Sequence, residues 1–164
     1  MNLPEAERLI DALVEQIRPA VSADTALVGI LTGGAWLAER LHAALALPTP
    51  LGTIDISFYR DDYGQRGLHA NLKPSSIPFD VAGRPIIIVD DVLYTGRTIR
   101  AALNELFDYG RPARVDLAVL VDRGGRELPI GARFCAHTIE LPRGRTLRLE
   151  RDDGGRLSLR LIDA

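Results

Sequence analysis

Apolar residues recur at spacings of three and four in three stretches of the chain, the pattern of an amphipathic helix. The first stretch runs from Leu3 to Ile17 and ends before Pro19, because the residue before a proline disfavours helical backbone. The second runs from Ala35 to Leu45, with leucines at every fourth position. The third runs from about Ile99 to Tyr109, and Gly110 follows where a C-terminal cap belongs. We therefore predict three helices.

Runs of consecutive apolar residues lie between these helices, as is typical of strands buried on both faces. They are Ala26–Leu31, Ile86–Val89 and Val115–Val121. The segment Thr53–Tyr59 instead alternates apolar and polar residues, which also predicts a strand. Strands that alternate with helices predict an α/β fold with an open, mostly parallel sheet flanked by helices. A chain of 164 residues suits one domain, spanning 1–164, and is short for two.

Two regions depart from the alternation. Residues 60–80 form a polar stretch with two glycines and two prolines, and a long loop of this kind within a compact domain predicts a lid or a disordered link. The tail from Phe134 to Ile162 carries the signal of a β-hairpin, with alternating strands around the turn Asp152–Gly155.

Composition narrows the function classes. The net charge of −2 and the pI near 5.9 argue against a protein that binds nucleic acid by its overall charge. They do not exclude binding through a local basic face. Cys135 is the only cysteine, so no intrachain disulfide forms, and this suits the reducing cytoplasm. The N-terminal segment does not read as a signal peptide, and no apolar run is long enough to cross a bilayer. We expect a cytoplasmic protein that does not bind membranes.

The candidate chemistry centres on the segment that follows the run Ile86–Val89. Two adjacent acids, Asp90 and Asp91, close the predicted strand, and a turn from Tyr94 to Thr98 then opens a helix. Backbone N–H groups at a helix N-terminus favour a phosphate. The acids suit a polyol, a magnesium ion, or both. A ribose 5-phosphate would satisfy this loop, with its 2- and 3-hydroxyls on the acids and its phosphate on the turn.

This segment resembles the phosphoribosyl-pyrophosphate (PRPP) motif of the type I phosphoribosyltransferases. The resemblance implies PRPP binding by the whole loop and Mg²⁺ held by Asp90 and Asp91, directly or through water. The loop comprises Asp90, Asp91, Val92, Leu93, Tyr94, Thr95, Gly96, Arg97 and Thr98.

Three further segments fit the needs of phosphoribosyl transfer. Thr32, Gly33 and Gly34 follow a predicted strand, and glycines let backbone N–H groups approach the oxygens of pyrophosphate. Tyr59, Arg60, Asp61 and Asp62 begin the candidate lid, where Arg60 could reach pyrophosphate. A charged, glycine-rich loop after a buried strand could read a pyrimidine edge, and its candidate uracil-binding residues are Val121, Asp122, Arg123, Arg126 and Glu127.

Taken together, these segments resemble the pyrimidine-operon attenuation regulators that are also uracil phosphoribosyltransferases, the PyrR family. The matching stretches are Gly52–Asp62, Asp90–Thr98, Asp108–Pro112 and Leu117–Pro129. The resemblance implies that uracil and PRPP are converted to UMP and pyrophosphate with magnesium. It also implies binding of leader mRNA and self-association, at least as a dimer. The alternative is a regulator that senses UMP or UTP and binds RNA but catalyses little.

Three features of the sequence differ from those of related proteins and affect the choice between enzyme and regulator. Tyr94 stands where purine phosphoribosyltransferases typically carry an acid, which disfavours a purine substrate and leaves no obvious general base. Gly33 stands where PyrR relatives carry arginine, so a guanidinium is lost unless Arg60 or Arg97 replaces it. The first helix is acidic, so we expect any RNA binding to rest on the tail, at Arg143, Arg145 and Arg148.

Overall fold

A five-stranded parallel sheet forms the centre of the protein in the computed structural model, which describes residues 1–57 and 75–164. The spatial order of the strands is β2-β1-β3-β4-β5, and every neighbouring pair is parallel. The strands are β1 (Ala26–Ile30), β2 (Gly52–Ile54), β3 (Pro85–Leu93), β4 (Arg114–Asp122) and β5 (Phe134–Thr138). The parallel α/β sheet predicted from the sequence is confirmed.

Helices cover both faces of this sheet. They are α1 (Ala6–Ile17), α2 (Gly33–Leu45) and α3 (Arg97–Phe107), and a short 3₁₀ turn, Arg18–Ala20, follows α1. Alternate residues of each strand face opposite sides, so β3 turns Ile87 and Val89 toward α1 and α2, and Ile86 and Ile88 toward α3. The sheet is therefore buried on both faces, which explains the continuous apolar runs in its strands.

The C-terminal hairpin forms a second, antiparallel sheet on the face that α1 and α2 cover. It consists of β6 (Arg145–Arg151) and β7 (Leu157–Asp163), as the sequence predicts. Leu147, Leu149 and Leu157 are buried in the same apolar cluster as the inner face of α1. The opposite face of the hairpin stays polar, and there Arg148 lies directly across from Arg160.

Polar contacts attach the hairpin to α1. The Glu7 carboxylate accepts the Leu157 N–H at 2.9 Å and a hydrogen bond from Arg40 Nη1 on α2 at 3.0 Å. Arg156 Nη2 donates to Glu5 at 3.0 Å. Glu7 therefore connects α1, α2 and the hairpin. None of the helices in the described ranges is long and apolar enough to cross a membrane.

Several element boundaries differ from the sequence predictions. Strand β3 does not close at the acid pair but continues to Leu93, since it pairs with β4 through Val92 and Leu93. Gly33 and Gly34 belong to α2 rather than to a separate turn. Strand β2 has only three residues. The first part of the tail, β5, joins the parallel sheet beside β4 instead of the hairpin.

Candidate functional site

A cleft of about 740 Å³ lies at the carboxyl edge of the parallel sheet. Strands β1 and β3 end there side by side, and β4 lies next to β3. The cleft is lined by Ile30, Leu31, Thr32, Gly33, Ile56, Asp90, Asp91, Val92, Tyr94, Thr95, Arg97, Thr98, Arg100, Ala101, Asn104, Arg123, Glu127, Thr146 and Leu147. The structure therefore brings together residues from the predicted PRPP loop, pyrophosphate loop and uracil loop.

The two acids lie at the floor of this cleft. Asp90 is only 7 % exposed, whereas Asp91 is partly exposed. The Oδ1 atom of Asp90 accepts the Asp91 N–H at 2.9 Å, and Oδ1 of Asp91 accepts the Val92 N–H at 2.9 Å. These bonds to the neighbouring backbone orient both carboxylates at the end of β3.

The pyrophosphate-loop residues begin α2 directly beside the acids. A Cβ atom on Gly33 would lie 2.4 Å from Asp91 Oδ2, so the Asp91 carboxylate fills the space that a side chain at position 33 would need. A Cβ atom on Gly34 would lie 2.6 Å from the Val89 carbonyl oxygen. Gly34 therefore serves the close packing of α2 on β3, and Thr32 and Gly33 line the cleft.

A second helix N-terminus opens on the same cleft at α3. Gly96, at φ +94°, precedes the helix in a left-handed conformation that glycine adopts without strain. The Arg97 N–H donates to Thr95 Oγ1 at 3.2 Å. First-turn N–H groups of a helix have no acceptor within the helix, and the dipole places partial positive charge there. The starts of α2 and α3 thus give the cleft two places suited to anions.

The predicted uracil loop is fastened to the PRPP loop. The Arg123 N–H donates to the Leu93 carbonyl at 3.0 Å, and the Glu127 N–H donates to the Thr95 carbonyl at 2.9 Å. Arg126 Nη1 donates to the Tyr94 carbonyl at 2.8 Å. These bonds hold the two loops together along the cleft.

The residues of the uracil loop divide into two groups. Arg123 and Glu127 line the cleft. Arg126 donates to the Asp122 carboxylate, which also accepts the Gly124 N–H. The hydrogen bond from Arg126 is the main cause of a lowered pKa at Asp122, and it outweighs the opposing effect of partial burial. Asp122 and Arg126 therefore shape the loop, and Val121 is part of the buried core.

Arg123 connects three parts of the site. Its guanidinium lies over the Tyr94 ring, with the carbon 3.8 Å from the ring centroid. Its Nη1 donates to Thr146 Oγ1 at 3.1 Å, and its Nη2 donates to the Arg145 carbonyl at 3.3 Å, both on β6. A Cβ atom on Gly125 would lie 2.5 Å from the Tyr94 ring, so glycine lets the ring lie against the loop.

Sequence reasoning missed eight residues that line the cleft: Ile30, Leu31, Ile56, Arg100, Ala101, Asn104, Thr146 and Leu147. Arg100 follows Arg97 by three positions and Asn104 follows Arg100 by four, so a polar stripe on α3 was a signal that could have found them. Thr146 and Leu147 reach the cleft from the hairpin, and only the tertiary structure places them there.

The remaining predicted residues fall into three places. The lid residues Tyr59–Asp62 lie outside the described residues. Arg143 and Arg148 are exposed, whereas Arg145 donates to the Leu161 carbonyl at 3.4 Å and lies 3.5 Å from Asp163. Within residues 1–57 and 75–164, no group of three or more His, Cys, Asp or Glu could hold a metal by itself.

Comparison with known proteins gives matches over most of the chain. A family model described as a phosphoribosyl transferase domain matches residues 2–140. The "Bifunctional protein PyrR" of Nitrosococcus oceani is 47 % identical over 99 % of this chain and 98 % of its own, and that of Ralstonia nicotianae is 48 % identical over 92 % and 88 %.

Solved structures show the same fold at lower identity. The purine phosphoribosyltransferase from Pyrococcus horikoshii has a TM-score of 0.60 and 25 % identity, covering 82 % of this chain and 83 % of that one. The HGPRT-ase from Leishmania tarentolae in complex with GMP has a TM-score of 0.63 and 18 % identity, covering 86 % and 82 %.

Proposed function

Because the chain belongs to the PyrR family of phosphoribosyltransferases, we propose that it transfers the phosphoribosyl group of PRPP to uracil. In this reaction N1 of uracil forms a bond to C1 of the ribose, and the bond from C1 to the pyrophosphate oxygen breaks. Pyrophosphate leaves with the electron pair and takes the N1 proton of uracil. The products are UMP and pyrophosphate.

One observation carries this proposal: two helix N-termini open on a single cleft with an acid pair at its floor. PRPP carries anionic groups at both ends of a polyol, namely the 5-phosphate and the pyrophosphate. The start of α3 suits the 5-phosphate, and the start of α2 suits the pyrophosphate. Asp90 and Asp91 lie close to both and suit the ribose hydroxyls.

The residues of the cleft would lower the barrier by orientation and by charge. The transition state has oxocarbenium character, so positive charge grows on the sugar while negative charge grows on the leaving pyrophosphate. The carboxylates near the sugar and the N–H groups of α2 match these changes. The cationic side chains Arg97, Arg100 and Arg123 also line the cleft.

Magnesium fits the donor set of this site. The ion commonly binds one or two protein carboxylates together with substrate phosphates, so a cage of protein ligands alone is not needed. Asp90 and Asp91 would hold it, directly or through water. When bound, the ion would neutralise charge on the pyrophosphate.

Tyr94 and the loop beside it support uracil as the acceptor. Tyr94 stands where purine phosphoribosyltransferases typically carry an acid, and its ring is fixed between Gly125 and the Arg123 guanidinium. Arg123 and Glu127 also line the cleft, and we assign them to the two sides of the base.

A turnover assay with uracil, PRPP and magnesium tests the proposal, combined with calorimetry of PRPP binding. We expect Asp90→Asn with Asp91→Asn to weaken PRPP binding about 100-fold or more, because each lost charge-assisted hydrogen bond costs about 1.5–3 kcal/mol. The matched control is Asp152→Asn with Asp153→Asn, an adjacent acid pair in the hairpin turn. Unchanged PRPP affinity in the first variant would contradict the assignment.

A second role, regulation of a pyrimidine operon through leader mRNA, is supported by the outer face of the hairpin. Arg148 and Arg160 lie directly opposite each other there, and Glu150 Oε1, 3.5 Å from Arg160 Nη1, offsets part of this like-charge pair. Arg143 lies exposed before β6. The same cleft would bind UMP or UTP as the effector. A gel-shift assay with pyrimidine-operon leader RNA tests this role.

We further propose a cytoplasmic protein that is at least a homodimer.

A further inference from the structure

The C-terminal hairpin contributes directly to the cleft, although it follows the residues that the phosphoribosyl transferase family model matches. That match ends at residue 140, and β6 begins at Arg145. Yet Thr146 and Leu147 line the cleft together with the PRPP loop. The hairpin is therefore a wall of the site as well as a cover for the core.

Arg123 is the residue through which the hairpin acts on the cleft. Arginine has many rotamers, and fixing one of them costs conformational entropy. Here two donors of the guanidinium are bound by β6, one by the Thr146 hydroxyl and one by the Arg145 carbonyl. Stacking on Tyr94 fixes the plane of the group. The hairpin thus selects one orientation of a cation that lines the cleft.

The Nε atom of Arg123 shows how tightly this side chain is enclosed. It is buried, and no hydrogen-bond acceptor reaches it from the described part of the chain. An unsatisfied buried donor carries a free-energy cost, so the bonds at the other end of the guanidinium must hold it in place. A guanidinium has five N–H donors, and two are used by β6. Its remaining Nη donors are available for an oxygen in the cleft.

We propose that Thr146 is a positioning residue for the base side of the site: its hydroxyl holds Arg123 over Tyr94, where Arg123 donates to a uracil carbonyl. This rests on the proposed function. Small misplacements of a binding group cost much of its effect, because the substrate must be held close to its reacting geometry. Removing the hydroxyl should therefore weaken the use of uracil while leaving the PRPP sites intact.

The kinetic test compares three variants with wild-type protein. Thr146→Val removes the hydroxyl and keeps the shape, Thr146→Ser restores a hydroxyl, and Ser158→Ala removes one from the exposed face of the same hairpin. We expect Thr146→Val to lower kcat/KM for uracil about tenfold or more, because a hydrogen bond to a charged group is lost. The KM for PRPP should change less than about twofold if its sites are intact. Thr146→Ser and Ser158→Ala should resemble wild type.

Two kinetic results would overturn the proposal: equal losses for uracil and PRPP in Thr146→Val, or a Thr146→Ser variant as impaired as Thr146→Val. A spectroscopic measurement separates this proposal from the proposed function. In the NMR spectrum of ligand-free ¹⁵N-labelled protein, the Arg123 Nε–H signal is identified by its absence from the spectrum of Arg123→Lys. Its proton should exchange with water slowly in wild type and Thr146→Ser but quickly in Thr146→Val. If wild type does not turn over uracil, the proposed function fails, and the exchange rates alone decide whether Thr146 holds Arg123. Equal exchange in wild type and Thr146→Val would refute that role.

Discussion

The two adjacent glycines at the start of α2 differ in what a side chain would meet. At Gly34 a Cβ atom would lie 2.6 Å from the Val89 carbonyl oxygen and 3.1 Å from the Asp90 Cα, both backbone atoms of β3. Gly34→Ala should therefore force α2 away from the sheet and destabilise the fold by about 1–3 kcal/mol. A thermal melt should show this as a fall in Tm of about 2–4 °C per kcal/mol. An unchanged Tm would contradict the close packing.

Gly33 faces the end of a side chain instead. A Cβ atom there would lie 2.4 Å from Asp91 Oδ2, which can rotate away. We expect Gly33→Ala to keep the Tm near that of wild type but to displace the Asp91 carboxylate and weaken PRPP binding. Calorimetry with PRPP measures the effect, and Ala substitution at exposed Gly154 provides the control. A PRPP affinity of Gly33→Ala equal to that of wild type would show that the lack of a side chain at position 33 does not position the Asp91 carboxylate.

Among individual residues, the sequence could predict those site residues that are neighbours along the chain. Asp90 to Thr98 form one continuous loop, so strand, acids and helix start could be recognised together. Thr146 could not be, because it reaches Arg123 across 23 positions of sequence and only the docking of the hairpin brings the two together. Asp122 and Arg126 were predicted beside the base, and the structure shows them bonded to each other, which a list of charged residues does not reveal.

Among the elements, the junction of α1, α2 and the hairpin depends on the charge of Glu7. The pKa of Glu7 is lowered from 4.5 to about 2, chiefly by the hydrogen bond from Arg40. Partial burial acts in the opposite direction, and the hydrogen bond from the Leu157 N–H lowers the pKa further. The ionised carboxylate therefore stabilises the fold fully above pH 4.5, and this contribution is lost as the pH falls toward 2. Glu7→Gln keeps an acceptor for Leu157 but removes the charge, and should lower the unfolding free energy at pH 7 by about 1–2 kcal/mol.

Denaturant unfolding across pH measures this effect. The difference between wild type and Glu7→Gln should be constant near neutral pH and should shrink below pH 4.5. Glu5→Gln is the matched control, because the Glu5 side chain is 53 % exposed and its pairs with Arg8 and Arg156 should contribute little. A difference that stays the same down to pH 2 would show that the Glu7 charge does not hold the junction.

Elements were predictable where an apolar run or a helical period was long. The strands β1, β3 and β4 and the helices follow from such patterns. The end of β3 was not predictable, because two acids read as the close of a strand, whereas pairing of Val92 with Val121 carries the strand on. The sequence predicts a hairpin tail that includes strand β5, since nothing in the pattern of Phe134–Thr138 indicates which strand lies beside it in a sheet. Pairing between distant segments decided both cases.

For the whole molecule, the distribution of charge limits how RNA could bind. The net charge is −2, and at the two ends of α1 Glu5 and Glu15 pair with Arg8 and Arg18. RNA affinity should therefore depend on the hairpin region. We expect alanine at Arg143, Arg145 and Arg148 together to weaken binding of leader RNA and to reduce the slope of log K against log salt by about 2. Gel shifts at several salt concentrations measure both.

The matched control replaces Arg8 and Arg18 by alanine, which should leave the slope unchanged because both side chains are paired on α1. A melt of the triple variant shows whether the loss of Arg145, which bonds within the hairpin, has disturbed its fold. RNA binding that survives in a folded triple variant would place the RNA surface elsewhere. No binding by wild type at low salt would leave the phosphoribosyltransferase role alone.

The contact between Arg123 and β6 also affects when the protein becomes active during its synthesis. The ribosome makes all five strands of the parallel sheet, and both helix starts that face the cleft, before it makes β6. A nascent chain could therefore assemble the PRPP side of the cleft while Arg123 still lacked its partners on β6. The uracil side of the cleft would be completed last, when the hairpin has left the ribosomal tunnel and docked. An arrested nascent chain that ends before Arg145 should thus bind PRPP but bind uracil more weakly than the complete chain does.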